Sequence, residues 1–130
     1  GMNACARDLA NFGLMMINDG AFNGRQVVPA EWIADTVKGD STSKECFARG
    51  VYGDDAPGWH YRNQVWVTAA DPAVMLAIGI HGQYVYMDKG RDLVIAMLSS
   101  QPQPFDEALD LNTMAAMSAI GSRLEAISNR

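Results

Sequence analysis

Between Asn3 and Gly20, apolar side chains at Leu9, Phe12 and Met16, with Leu14, Met15 and Ile17 beside them, recur near helical spacing. The spacing predicts a helix capped by Asn3 and ended by Gly20 in a left-handed turn, with Gly13 as its one weak interior position. The stretch "FNGRQVV" follows, with a turn at Asn23-Gly24. A second helix begins at Pro29, where a missing N–H does no harm, and runs through Trp32, Ile33, Thr36 and Val37 to a stop at Gly39. From Asp40 to Gly58 the chain is polar and glycine-bearing, which reads as loop with at most one short helix.

Beyond Gly58 the period becomes strand-like. "WHYRNQVWV", "VMLAIGI", "QYVYM" and "LVIAML" are separated by turn signals that include Asp71-Pro72 and Lys89-Gly90, as in an antiparallel meander. Leu93 to Leu98 is apolar on both faces, so that strand should be covered from both sides, as a central strand between helical layers would be. Pro102 and Pro104 end the sheet. Phe105, Leu109, Met114, Met117, Ile120, Leu124 and Ile127 then mark a long amphipathic helix, weakened at Gly121, that covers one sheet face. The fold class expected is α+β, an antiparallel sheet of about four strands packed with helices, in a single domain over residues 1–130.

Composition narrows the function classes. A chain of 130 residues, 48% hydrophobic and 19% charged, can bury about two thirds of its unfolded surface and fold without disulfides or metal. Its net charge of -5 lacks the clustered Lys and Arg that phosphate binding needs, which argues against nucleic acid. No run approaches the roughly 18 apolar residues of a membrane span, and no secretory signal is visible, so the compartment stays open. Gly1-Met2 is either native or a tag remnant followed by a start codon. Cys5 and Cys46 match no metal or redox spacing and read as buried or idle thiols. His60 and His81 lack a neighbouring carboxylate or cysteine at ligand spacing, so no metal or other cofactor is expected.

Three short patterns invite a catalytic reading. Ser41-x-x-Lys44 has the spacing of a lysine-activated serine, but that chemistry needs a fixed helix and a buried lysine. A capping box from Thr42 to Glu45, with Gly50 closing a short surface helix, explains the same residues more simply. Tyr61-x-Asn63 is weak because any strand sends alternate residues to one face. Asp88 and Asp92 flank a hairpin turn and need no chemistry. His81 is different: it lies between Gly79 and Gly82 at the end of an apolar strand, where a ligand, an exposed oxyanion-binding N–H or a plain strand bend would each account for the glycines.

"NACARDLANFGLMMINDG", "GRQVVPAEWIADT" and "AIGIHGQYVYMDKGRDLVIAMLSS", in that order, resemble the C-terminal part of serine β-lactamase-like hydrolases, in the branch of 6-aminohexanoate-dimer hydrolases and class C-related esterases. The resemblance implies a partial β-lactamase/transpeptidase-like fold whose Ser-x-x-Lys nucleophile and Tyr-x-Asn motif lie before the matched segment. The family's Lys-Thr-Gly strand aligns with Ala77-Ile78-Gly79, a departure that speaks against penicillin-like substrates. Gly79, Ile80, His81, Gly82 and Gln83 are then the candidates for the oxyanion strand, with the Ile80 N–H as donor and no complete catalytic set in this chain. The expectation is a C-terminal fragment of an amide or ester hydrolase, inactive alone, that self-associates or binds a complementary N-terminal fragment. The alternative is a non-catalytic binding or interaction module that kept the sheet.

Overall fold

The computed structural model describes residues 3–70 and 72–128; Gly1-Met2 and the turn expected at Asp71 lie outside them. The change of period at Gly58 divides helices from sheet. Before it come α1 (Ala6–Ile17), the two-residue strands β1 (Ala21–Phe22) and β2 (Arg25–Gln26), α2 (Ala30–Lys38) and α3 (Ser41–Ala48). After it come β3 (His60–Arg62), β4 (Val65–Val67), β5 (Val74–Gly79), β6 (Gln83–Asp88), β7 (Leu93–Met97) and α4 (Glu107–Ser128). β3 to β7 form one antiparallel sheet in sequential order, and β1 and β2 pair separately across Asn23-Gly24. Both turn residues have positive φ, as a two-residue hairpin requires.

Strand alternation sorts the core onto two faces. Met75, Val85, Met87 and Val94 point to the side where Met15, Met16 and Ile17 of α1 and Ile33 of α2 pack. Val74, Leu76, Tyr84, Tyr86, Leu93, Ile95 and Met97 point to the side of Met114 and Met117 on α4. The chain is therefore α+β in three layers, with apolar residues at consecutive strand positions because both faces are covered. Five of the methionines (Met15, Met16, Met75, Met87 and Met117) are buried, filling core as expected.

Gly13 has a use that the helix pattern hides: a Cβ there would stand 2.5 Å from Val94 Cγ1, so its absence lets α1 lie close on the sheet. Gly20, at φ +82°, ends the α1 region as expected and passes close to the Val28 carbonyl.

Several expectations change. The cap of α1 is Cys5, not Asn3; its N–H and Sγ donate to the Asp8 carboxylate. Cys5 and Cys46 are free and exposed rather than buried. The cap of α3 is Asp40, whose carboxylate accepts from the Ser43 N–H while Ser43 Oγ accepts from the Asp40 N–H, so the box starts two residues before the Thr42 proposed from sequence. Aspartate wins because it accepts more strongly and Arg62 also bridges it to Asp35.

"WHYRNQVWV" is a hairpin rather than one strand: Asn63 and Gln64 both adopt positive φ and turn β3 into β4, giving five strands where about four were expected. β7 is covered on both faces but is an edge strand, all five residues half-buried. On α4 the packed stripe is Met114, Met117 and Gly121, while Leu109, Ile120, Leu124 and Ile127 remain exposed.

Candidate functional site

The five candidates from Gly79 to Gln83 form the tip of the β5–β6 hairpin, in which Gly79 pairs with Gln83 and Ile80, His81 and Gly82 make the loop. His81 and Gly82 have φ of +59° and +75°. The tip is fastened to the segment after β7. The His81 N–H donates to the Pro104 carbonyl at 2.9 Å and the Gln101 N–H to the His81 carbonyl at 3.3 Å. His81 Nδ1 lies 2.8 Å from the Gln101 carbonyl, which can only accept, so the proton sits on Nδ1. Gln83 adds bonds from Nε2 to the His81 and Ser99 carbonyls and accepts from the Ser99 N–H. A Cβ on Gly82 would meet the Gln101 amide at 2.5 Å, so this glycine serves both the left-handed backbone and close approach.

These bonds separate the candidates. His81 and Gln83 hold the turn, and the His81 N–H is already used. The Ile80 N–H has no turn or loop partner among the described residues, and the Ile80 side chain is 68% exposed. The Gly82 N–H likewise has no partner among the described residues, but of these two loop residues only Ile80 borders the cavity.

Ile78, Gly79 and Ile80 border a cavity of about 350 Å³ between the sheet, the loop after α3 and the start of α4. Tyr52, Trp59, Trp66 and Phe105 give it aromatic walls. Trp66 makes edge-to-face contacts with Phe47, Tyr52 and Tyr61 at centroid separations of 5.7, 5.2 and 5.2 Å, an arrangement that fixes its ring. Asp55, Glu107 and Asp110 supply carboxylates at its border, and no Ser, Thr, Cys, Lys or His is among the described lining residues. Tyr84 donates its hydroxyl to Asp110. Burial first, and the Asp110 carboxylate second, push the Tyr84 phenol well above its ordinary value, the wrong direction for a proton acceptor. The cavity can hold an apolar group beside the backbone turn at Gly79 and Ile80.

The sequence missed these aromatic residues because their spacing through a loop, a strand and a helix entry has no period. The remaining candidates lie elsewhere. Ser41 and Lys44 occupy the first turn of α3, so the helix they require exists, but both side chains are exposed and share no hydrogen bond. Asn63 is a turn residue that donates to Asp35 and Thr36 on α2, while the Tyr61 hydroxyl donates to Gln64; the two do not converge. His60 is buried with Nε2 3.0 Å from the Thr36 carbonyl, tying β3 to α2. Asp88 is buried at the β6–β7 turn, accepting from the Arg91 N–H and guanidinium, a structural role. Among the described residues no group of three His, Cys, Asp or Glu could hold a metal ion, and no helix is long and apolar enough to cross a membrane.

No protein-family model matches the chain. It is 36% identical over 104 residues to the 6-aminohexanoate-dimer hydrolase of Paenarthrobacter ureafaciens, a match covering 80% of this chain and 26% of that one. A solved structure from Bacillus anthracis, assigned as a 6-aminohexanoate-dimer hydrolase, superposes with a TM-score of 0.76 at 30% identity, covering 97% of this chain and 30% of the other. The chain thus spans between a quarter and a third of the length of these relatives.

Proposed function

We propose that this chain, related in sequence and fold to part of the 6-aminohexanoate-dimer hydrolases, supplies the oxyanion strand and substrate pocket of a serine hydrolase for amides or esters. In this reading residues 1–130 are a C-terminal portion of such an enzyme and perform no acyl transfer alone. The observation that carries it is the unpartnered Ile80 N–H at the border of an aromatic-walled cavity without a nucleophile among its described lining residues. A tetrahedral intermediate gains from a fixed donor where its oxygen becomes negative, and the bonds of His81 and Gln83 supply that fixity. The attacking serine and its base would come from chain outside this segment.

Two measurements test the reading. The folded chain is exposed to a fluorophosphonate and its intact mass recorded; no adduct is expected, and stoichiometric labelling of Ser41 would overturn the assignment. In the second, this chain replaces its aligned segment in the Paenarthrobacter ureafaciens relative, and hydrolysis by the chimera is compared with that of its Ile80→Pro form, which lacks the N–H. A loss of about a hundredfold or more in kcat is expected. Undiminished turnover by the proline form would leave the aromatic cavity as a binding site without oxyanion chemistry, the reading of the chain as a binding module.

A further inference from the structure

We infer that the isolated chain forms a two-fold dimer through the free edge of β7, joining two five-stranded sheets into one. Leu93 to Met97 contains no charge, proline or glycine, the devices that ordinarily protect a sheet edge. The other edge is defended: β3 is three residues long, Arg62 on it binds Asp35 and Asp40, and α3 packs against it.

The strand complements itself in only one sense. Its leading end carries Lys89, Arg91 and Asp92, whereas its trailing end is the uncharged Leu98, Ser99, Ser100 and Gln101. Antiparallel pairing about a two-fold axis normal to the sheet keeps both copies of α4 on one face, while parallel pairing would put the two helices on opposite faces. It also sets the ion-paired end of each strand, where Lys89 binds Asp19 and Arg91 binds Asp88 and Glu125, beside the uncharged end of the other. Side-chain alternation then requires paired residues to share a face, which is met by a two-fold axis at Ile95, with Val94 opposite Ala96 and Leu93 opposite Met97 of the second copy.

The helical layer fits the same operation. Leu109, Ala116, Ile120 and Ile127 are separated by 7, 4 and 7 residues and form one exposed stripe on α4. Glu107 and Leu111 occupy the opposite flank and face the cavity, so the stripe lies toward β7. Asp110 meets Tyr84, the partner of Met97, and Gly121 packs on Leu93, so α4 runs the length of β7 with Ala116 near its middle. A helix seated over the β6–β7 pair stands about 5 Å from the junction, which brings two such helices to about 10 Å, the separation of packed helices. The small Ala116 sits where they approach.

The test is light scattering across micromolar to high micromolar concentration, with hydrogen exchange of β7 at the same points. The expected mass rises toward twice 14.1 kDa, and the β7 amides turned away from β6 become protected as it does. Ala116→Arg, which opposes two charges at the axis, is expected to weaken the dimer at least tenfold, while Ala115→Arg on the other flank leaves it unchanged. Both positions are exposed, so each variant retains the fold. A monomer at every concentration, or a dimer indifferent to Ala116→Arg with β7 amides unprotected, overturns the inference.

Discussion

Replacing Gly13 by alanine sets three effects against one another. Alanine is favoured over glycine in a helix interior by about 1 kcal/mol. The methyl group would add about 0.8 kcal/mol by burial. Against these stands the contact: the added carbon would lie 2.5 Å from Val94 Cγ1 and 3.2 Å from Val85 Cγ1, where ordinary carbon contacts begin near 3.5 Å. Both neighbours are valines, stiff at χ1, so relief requires α1 or β7 to shift. Overpacking of this kind costs about 1–3 kcal/mol, and an overlap near 1 Å against stiff partners belongs at the upper end. The expected net is a loss of about 1 kcal/mol, or roughly 3–5 °C in Tm for a chain of this size. Urea denaturation followed by circular dichroism, at one fixed protein concentration, measures it. In a Val94→Ala background the 2.5 Å contact is gone and only the milder ones to Val85 Cγ1 at 3.2 Å and Met87 Cγ at 3.3 Å remain, so Gly13→Ala becomes about neutral, a coupling of about 1 kcal/mol. A rise in stability in the native background, or equal effects in both, would refute the close seating of α1.

Tyr84 and Tyr86 are both pushed above the ordinary phenol value, first by burial and then by the carboxylates of Asp110 and Asp88. A phenol that holds its proton more tightly when folded contributes stability that is intact below about pH 10 and is lost as pH rises further. Phenolate absorbance from Tyr84 and Tyr86 in the native chain should therefore appear only above the ordinary phenol range; loss of that absorbance change in the Tyr84→Phe and Tyr86→Phe forms within the ordinary range would contradict their burial. At the start of α4, Asp106 Oδ1 accepts from the Leu109 N–H at 3.0 Å. Asp106→Ala is expected to cost about 1 kcal/mol and Asp106→Asn a small part of that, so an alanine form as stable as the native chain in thermal melts would remove the cap from the account.

The elements were legible where one local signal decides them. Gly39 and the pair Asn23-Gly24 punctuate the chain where the sequence places them, because positive φ is chemistry that the residue itself carries. Asn63-Gln64 was not legible, since glutamine is a poor signal for a left-handed turn and the apolar alternation runs on through it. The same limit hid the register of α4. Its apolar positions fill two adjacent stripes, and only the sheet selects Met117 over Ile120. At the site, the glycines marked the hairpin tip, but nothing in "GIHGQ" tells which N–H is free. That depends on the carbonyls of Gln101 and Pro104, about twenty residues away in sequence, which claim His81.

The sequential order of β3 to β7 bears on how the molecule assembles. Every pairing in the main sheet joins strands that follow one another along the chain, with two residues between β3 and β4 and three between β5 and β6. Loop closure of this kind costs little entropy, and contacts close in sequence form early, on the microsecond scale of hairpins. The strand that leads into Ile80 can therefore acquire both neighbours before α4, the most distant element from α1, has docked. Its final locking waits for residues 99–104 to reach the hairpin tip, so the geometry of the free N–H is completed last, on a sheet already built.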